Sequence, residues 1–407
     1  MDESVAVLPL DIHKRFSVAT PMNRDGEVLE KVRVEHGDQV AMRAQLVELA
    51  QGADVVMEAT FNWPWIADLV QEVGLRAHLA DPRETGRMRK NRPKSDRKDA
   101  IFLGKLWLGG AIFPEVYLAP PPVRSMRALC RQRLLLVRMR TAQKNNIHGQ
   151  LHRLGVDVTG QVSDIFSPKG RTVLEALELE EHERSLLEHK LTVVDVLTAL
   201  IDELQDQILP ELAQDPRAAI LTSIPGIGQI LAYTMLAEMG EMERFPHRRA
   251  LAAYAGVLPL ERESGDKDFG RHTGGPCNHW LRWAAIEAAT GAVRGSASMR
   301  SLHSRVKARN KAMPGKARVA VARKLMELVH VLLTRGETYT EPPSRDAASS
   351  PSQPRRRRSR RRRRGARGRG PRHVAGAGPR SGHASDGHGH PNRASQTALS
   401  ADSAAGR

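Results

Sequence analysis

Cysteine is almost absent from the 407 residues: there are two, Cys130 and Cys277, far apart and in no Cys-x-x-Cys pattern. That excludes a disulfide framework and a cysteine-rich zinc site, and it fits a reducing compartment. Aromatic side chains are scarce, at 4% of the chain. A binder of single strands that relies on base stacking would need more of them. No apolar run is as long as the roughly 18 residues of a membrane span, so no membrane partner is expected. The start carries Asp2 and Glu3 with no long apolar run, so no signal peptide is expected and the chain reads as cytoplasmic.

Acids are missing from two long stretches. Residues 123–156 hold eight Arg or Lys and residues 294–324 hold ten, with no Asp or Glu in either. A solvated structural helix usually mixes signs. Helical surfaces of one sign point to phosphate contacts, and so to nucleic acid; a merely basic exposed face is the plainer reading. The formal charge is +17, but the 15 Arg and 2 Asp from Pro351 to Arg407 supply most of it. Nine of the ten residues Arg355–Arg364 are Arg, and Gly, Ser, Ala and His fill much of the rest. Such a tail, 338–407, buries too little apolar area to fold and is expected to be disordered.

The remainder is patterned. Residues 5–12 (VAVLPLDI) read as a buried strand ending in Asp11. FSVAT (16–20) and VLEKVRV (28–34) flank an Asp-Gly turn, as in a hairpin. Residues 39–50 have helical spacing, DVVMEAT (54–60) is a buried strand carrying Glu58, 64–73 look helical, and RAHLADP (76–82) is a further strand. The order of a hairpin followed by alternating strands and helices matches a ribonuclease-H-like α/β sheet of three layers. In that layout the first and fourth strands are neighbours, so Asp11 and Glu58 stand side by side.

The run Lys94–Ala100 (KSDRKDA) sits among the nine Lys or Arg between Arg83 and Lys105. Asp96 and Asp99 fall on one side of a helix, about one turn apart. Alone this is a helix start capped by Ser95 or Asp96. Beside Asp11 and Glu58 it becomes the third leg of a carboxylate cluster. Clustered carboxylates are hard ligands that suit Mg²⁺ or Mn²⁺, and such a metal can polarise a scissile phosphate.

Downstream, 123–156 read as a basic amphipathic helix with a possible break at Gly149. Residues Leu187 to Ile208 repeat close to a heptad, as in a coiled coil or helical hairpin that spaces domains, joins subunits or packs on its own chain. Pro225-Gly226-Ile227-Gly228 lies between apolar helices. It reads as a helix-hairpin-helix-like turn that could hold a phosphate, or as a plain Gly-rich turn. Residues 261–268 read as a polar loop containing Ser264, by itself a turn residue. The expected divisions are 4–156, 171–213, 217–335 and the tail.

Taken together the motifs resemble the DEDD transposases of the insertion-sequence 110 family. They are LDIHK with Asp11 and Lys14, EATFNW with Glu58, KSDRKDA with Asp96 and Asp99, PGIG, LAAYAGVLPLERESG, and PCNHWLR. The resemblance spans roughly residues 5–335. It implies a RuvC-like N-terminal nuclease domain, a C-terminal transposase domain, and cutting and rejoining of element ends and target DNA. It also implies Ser264 as nucleophile beside Mg²⁺ on Asp11, Glu58, Asp96 and Asp99, a site shared between subunits of a dimer or tetramer, a structured noncoding guide RNA, and association with the nucleoid. The chain departs from the family at Leu8-Pro9-Leu10, at Phe61, at Glu263-Ser264-Gly265 and at His272–Pro276. Two other readings use the same residues. One is a hydrolytic junction nuclease with an inert Ser264. The other is a nucleic-acid-binding protein without chemistry.

Overall fold

The computed structural model describes residues 4–342, apart from 90–95, 111–112, 159, 265–266 and 273–275, and for 96–98, 260–264 and 267–272 it describes the backbone only. The N-terminal part runs β1 (Val7–Ile12), β2 (Phe16–Ala19), β3 (Val32–Glu35), α1 (Gln39–Ala50), β4 (Asp54–Glu58), α2 (Trp63–Glu72), β5 (Ala77–Ala80), α3 (Pro82–Met88), α4 (Asp96–Leu108) and β6 (Glu115–Val116). Six strands form one sheet in the order β3-β2-β1-β4-β5-β6. β1 pairs antiparallel with β2 and parallel with β4, as expected of the first and fourth strands.

Side chains alternate across a strand. Leu8, Leu10, Val55, Met57 and Leu79 pack with Met42 and Leu46 of α1 and Ile66 and Val70 of α2. Val7, Val56 and Ala80 face the other way, with Leu103 of α4. Asp11 has the parity of Val7, and Glu58 that of Val56. Both acids therefore project to the α4 side of the sheet. Gly104 lets α4 approach: a Cβ there would stand 2.4 Å from Met22 Sδ and 2.6 Å from Pro9 Cγ.

After β6 the chain is mostly helical: α5 (Pro121–Arg153), α6 (Pro168–Glu175), α7 (Glu181–Gln214), α8 (Arg217–Thr222), α9 (Gln229–Met239), α10 (Arg248–Tyr254), α11 (His279–Gly295), α12 (Ala297–Arg309) and α13 (Gly315–Arg335), with a two-stranded hairpin β7 (Leu260–Ser264) and β8 (Lys267–His272) between α10 and α11. α5 runs unbroken through Gly149. A single glycine costs a helix only about 1 kcal/mol, and the buried Ile147, Gln150 and Leu151 hold it on both sides. α7 lies antiparallel on α5: Gln150 bonds Glu183, Arg140 bonds Thr198, and Arg133 bonds Gln205. Its heptad seam, including the buried Leu187, Val194, Leu197, Ile201 and Ile208, is covered within the chain.

Of the segment expected as a polar loop at 261–268, residues 261–264 lie on β7 and 267–268 on β8, and the antiparallel pairing of these strands satisfies backbone groups. Gly226 has φ +91°, and a Cβ there would stand 2.3 Å from Ala288 O and Ala292 N of α11. At this turn the tight approach is to another helix, which only glycine permits. α9, α10, α11 and α13 enclose the second large core, around the fully buried Tyr233. The expected disorder from 338 does not hold for its first residues, where the Tyr339 amide donates to Ser223 Oγ and Glu341 accepts from Ser296 Oγ; the tail beyond residue 342 lies outside the described residues, as do the four His between His373 and His390.

Candidate active site

The geometry follows from register. Leu10 is opposite Met57 in the parallel β1–β4 pair. The next residue on each strand is an acid, Asp11 and Glu58. α4 crosses this face and brings Asp99. One pocket is lined by Asp11, Glu58, Asp99, Thr60, Arg89 and Leu103 among others. Three of the four sequence-predicted acids thus meet, from two strands and a helix. The fourth, Asp96, is the first residue of α4, and its side chain lies outside the described residues. Ser264 closes β7 opposite Lys267. Its side chain, like those of Lys267, Arg271 and His272, is also outside them.

Each acid has a cationic or hydrogen-bonding neighbour. His13 Nε2 lies 3.3 Å from Asp11 Oδ2. Thr85 Oγ1 donates to Glu58 Oε1 at 2.8 Å. Arg89 bridges the other two: one nitrogen donates to Glu58 Oε1, and Nη1 stands 3.1 Å from Asp99 Oδ2. Asn62, in the EATFNW motif, donates to the carbonyls of His13 and Lys14 at 3.0 and 3.2 Å. The Glu58 motif therefore braces the turn that follows Asp11.

Sequence reasoning missed Thr85 and Arg89. Asp81 caps α3, with Pro82 at its first turn, a helix-start signal hidden at the end of a strand motif. Thr85 and Arg89, one turn apart, then reach the same carboxylate.

The donor set is made of hard carboxylate oxygens already gathered around a cation, the Arg89 guanidinium. In chemistry it suits a divalent metal with oxygen preference. Among the described residues, no group of three His, Cys, Asp or Glu side chains is spaced to hold one. Arg89 lies between Glu58 and Asp99, and the side chain of Asp96 is not described.

The basic surfaces divide. On α5, Arg124 pairs with Asp68, Arg131 with Glu238, Arg133 with Gln205 and Arg140 with Thr198, while Arg127 donates to the carbonyls of Ala237 and Glu238. Arg138 stacks over Trp280 and Lys144 over Phe166. Most of this helix's charge is spent inside the chain, on partners distant in sequence. On α12 and α13, by contrast, Arg305, Lys307, Arg309, Lys316 and Arg318 are exposed, as a phosphate-facing surface requires.

Residues 9–155 match the family model of IS110-type DEDD transposases, and residues 218–304 match the model described as "Transposase IS116/IS110/IS902 family". The two matches lie on the sheet that carries the acids and on the helical part. The chain belongs to the IS110 family of DEDD transposases.

It is 25% identical over 341 residues to the "Transposase for insertion sequence element IS1111A" of Coxiella burnetii, covering 83% of this chain and 92% of that protein. It is 27% identical over 218 residues to the "Transposase for insertion sequence element IS1328" of Yersinia enterocolitica, covering 52% and 63%. Over 146 residues it is 30% identical to an insertion element IS110 protein of Streptomyces coelicolor, covering 35% and 36%. As an IS110-family enzyme the chain is a DNA transposase of an insertion element, and DNA is its partner. Among the described residues, no helix of this transposase is long and apolar enough to cross a membrane.

Proposed function

We propose that this transposase cuts and rejoins DNA through a serine nucleophile, Ser264, beside Mg²⁺ (or Mn²⁺) held by Asp11, Glu58, Asp96 and Asp99. The observation that carries the reading is the meeting of Asp11, Glu58 and Asp99 at one pocket in a chain of this family. When bound, the metal supplies charge stabilisation to the scissile phosphate and the leaving oxygen.

The protein residues do the rest. β1 and β4 fix Asp11 and Glu58 at one end of the sheet, and α4 presents Asp99. The Ser264 hydroxyl gives up its proton and its Oγ forms a bond to phosphorus. The bond from phosphorus to one strand oxygen breaks, and that oxygen takes a proton. The product is a phosphoserine–DNA link that keeps the energy of the phosphodiester for rejoining. The outward basic residues of α12 and α13 are suited to DNA or to a structured noncoding guide RNA that pairs with it.

The organisation follows the same reading: a RuvC-like domain over 4–156, a coiled-coil-like spacer over 171–213, a transposase domain over 217–335 and a basic tail over 338–407. The working form is a dimer or tetramer, with the acids and the serine contributed by different subunits, in the nucleoid-associated cytoplasm.

The test is incubation with the element's own end and target DNA, its noncoding RNA and Mg²⁺, followed by denaturing gels for a covalent protein–DNA adduct. The adduct is expected with the native protein and lost in both Ser264→Ala and Asp11→Ala. Cleavage without adduct, unchanged in Ser264→Ala, would establish a hydrolytic nuclease. Binding without cleavage would establish a binding protein.

A further inference from the structure

Arg89 is placed where a metal would be expected to act. It follows α3 directly, and its guanidinium spans Glu58 on β4 and Asp99 on α4. The three side chains keep 19%, 23% and 17% of their exposure, so water screens the pairs only in part. The Phe102 ring lies 5.2 Å beneath the guanidinium. Arg89 is nonetheless incompletely satisfied: its Nε is buried without a hydrogen-bond partner among the described residues. A buried donor left unmatched raises the free energy of the arrangement. Arg89 therefore neutralises two acids and holds them together.

We infer that Arg89 is the resident counter-ion of the acid cluster, and that a divalent metal loads only by displacing its guanidinium from Glu58 and Asp99. This rests on the reading of the cluster as a metal site. The guanidinium takes Glu58 Oε1 and Asp99 Oδ2, and a metal on those oxygens would stand close enough to it for their repulsion in a partly dry site to oppose loading. The metal must therefore offset the loss of both ion pairs before it shows net binding. Arg89 is in this sense a positioning residue. It keeps Glu58 and Asp99 converged while the site is without metal, and it lowers the affinity with which the site loads. Thr85 remains on Glu58 and keeps that carboxylate oriented when the guanidinium leaves.

The test uses the full chain in four forms: native, Arg89→Met, Arg89→Lys and Asp11→Asn. Mn²⁺ binding is followed by electron paramagnetic resonance, and thermal melting is measured with and without Mn²⁺. Arg89→Met is expected to bind Mn²⁺ about ten- to a hundredfold more tightly than the native chain, because breaking the partly buried pairs no longer opposes loading. Without Mn²⁺ its melting temperature falls, since two carboxylates lose their cation; with Mn²⁺ it rises by more than that of the native chain.

Arg89→Lys keeps the charge but reaches fewer oxygens at once, so its Mn²⁺ affinity falls between the two. If Arg89→Met does not fold, Arg89→Lys decides, and an affinity no higher than native overturns the proposal. Asp11→Asn is expected to weaken Mn²⁺ binding. If it does, while Arg89→Met binds no more tightly than the native chain, Arg89 is not the competitor but the metal site stands. If neither the native chain nor Arg89→Met binds Mn²⁺, or Asp11→Asn leaves binding unchanged, the metal-site reading itself fails, and this proposal with it.

Discussion

Replacing Glu238 by alanine removes the hub of a buried polar network that fastens the basic helix α5 to the C-terminal core. Glu238 is fully buried at the end of α9. It accepts from Arg131 Nε and Nη2 at 2.7 and 2.8 Å and from Asn278 Nδ2 at 2.8 Å. Asn278 in turn caps α11 through the Trp280 and Leu281 amides. Breaking a buried pair by removing one partner costs about 3–5 kcal/mol. Arg131 keeps 39% of its side-chain exposure and can rehydrate, so Glu238→Ala belongs near the lower end, about 3 kcal/mol. Arg131→Ala is expected to cost about 4 kcal/mol, because it leaves a carboxylate with no exposure to Asn278 and to Arg127, 3.7 Å away, as its remaining partners. The double variant should cost well under the sum, with a coupling of about 2 kcal/mol. Urea unfolding followed by tryptophan fluorescence measures all three, and Trp280 beneath Arg131 reports locally. Single losses under about 1 kcal/mol, or a coupling near zero, would refute the network as the fastening.

Two further outcomes follow from the packing. Gly104→Ala should push α4 off β1, since its Cβ would meet Met22 and Pro9. A stability loss of about 1–3 kcal/mol is expected, together with a fall in Mn²⁺ affinity as Asp99 shifts, measured by denaturation and metal titration on one sample. Glu341 provides a pH test. Burial alone would raise its pKa, but donors on Ser298, Tyr339 and Ser296 outweigh this and hold it at about 2, below the usual carboxylate value. A depressed folded pKa stabilises above the unfolded value, and the gain is lost as pH falls toward the folded one. Glu341 is an exposed residue, so after solvent screening the gain is about 1 kcal/mol. Glu341→Gln should lose that at pH 7, and the gap to the native protein should shrink between pH 5 and pH 3.

Much of the sheet was legible because its signals are local. Continuous apolar runs ending in Asp11 and Glu58 mark buried strands, and their adjacency follows from the hairpin-then-alternation order. Parity along the strands then places both acids on one face. What was not legible depended on partners. The α7 seam has the same spacing whether it meets another subunit or α5, and spacing carries no information on which. Arg124, Arg131 and Arg140 read as one basic face because Asp68, Glu238 and Thr198 are remote in sequence. Arg89 looked like one solvated charge among nine, since nothing local shows that α3 aims it between two acids. The β7–β8 hairpin was hidden by polar side chains that gave no apolar alternation to read.

Whether these acids hold the metal that serves DNA strand transfer is read from Asp11→Cys, with strand transfer on the element's own DNA measured in Mg²⁺ and then in Mn²⁺. A thiolate is a poor ligand for Mg²⁺ and a better one for softer cations. Asp11→Cys is expected to lose activity in Mg²⁺ and to regain part of it in Mn²⁺, with no recovery in Asp11→Ala. Equal activity of Asp11→Cys in both metals, or equal loss in both, would contradict that role for these acids.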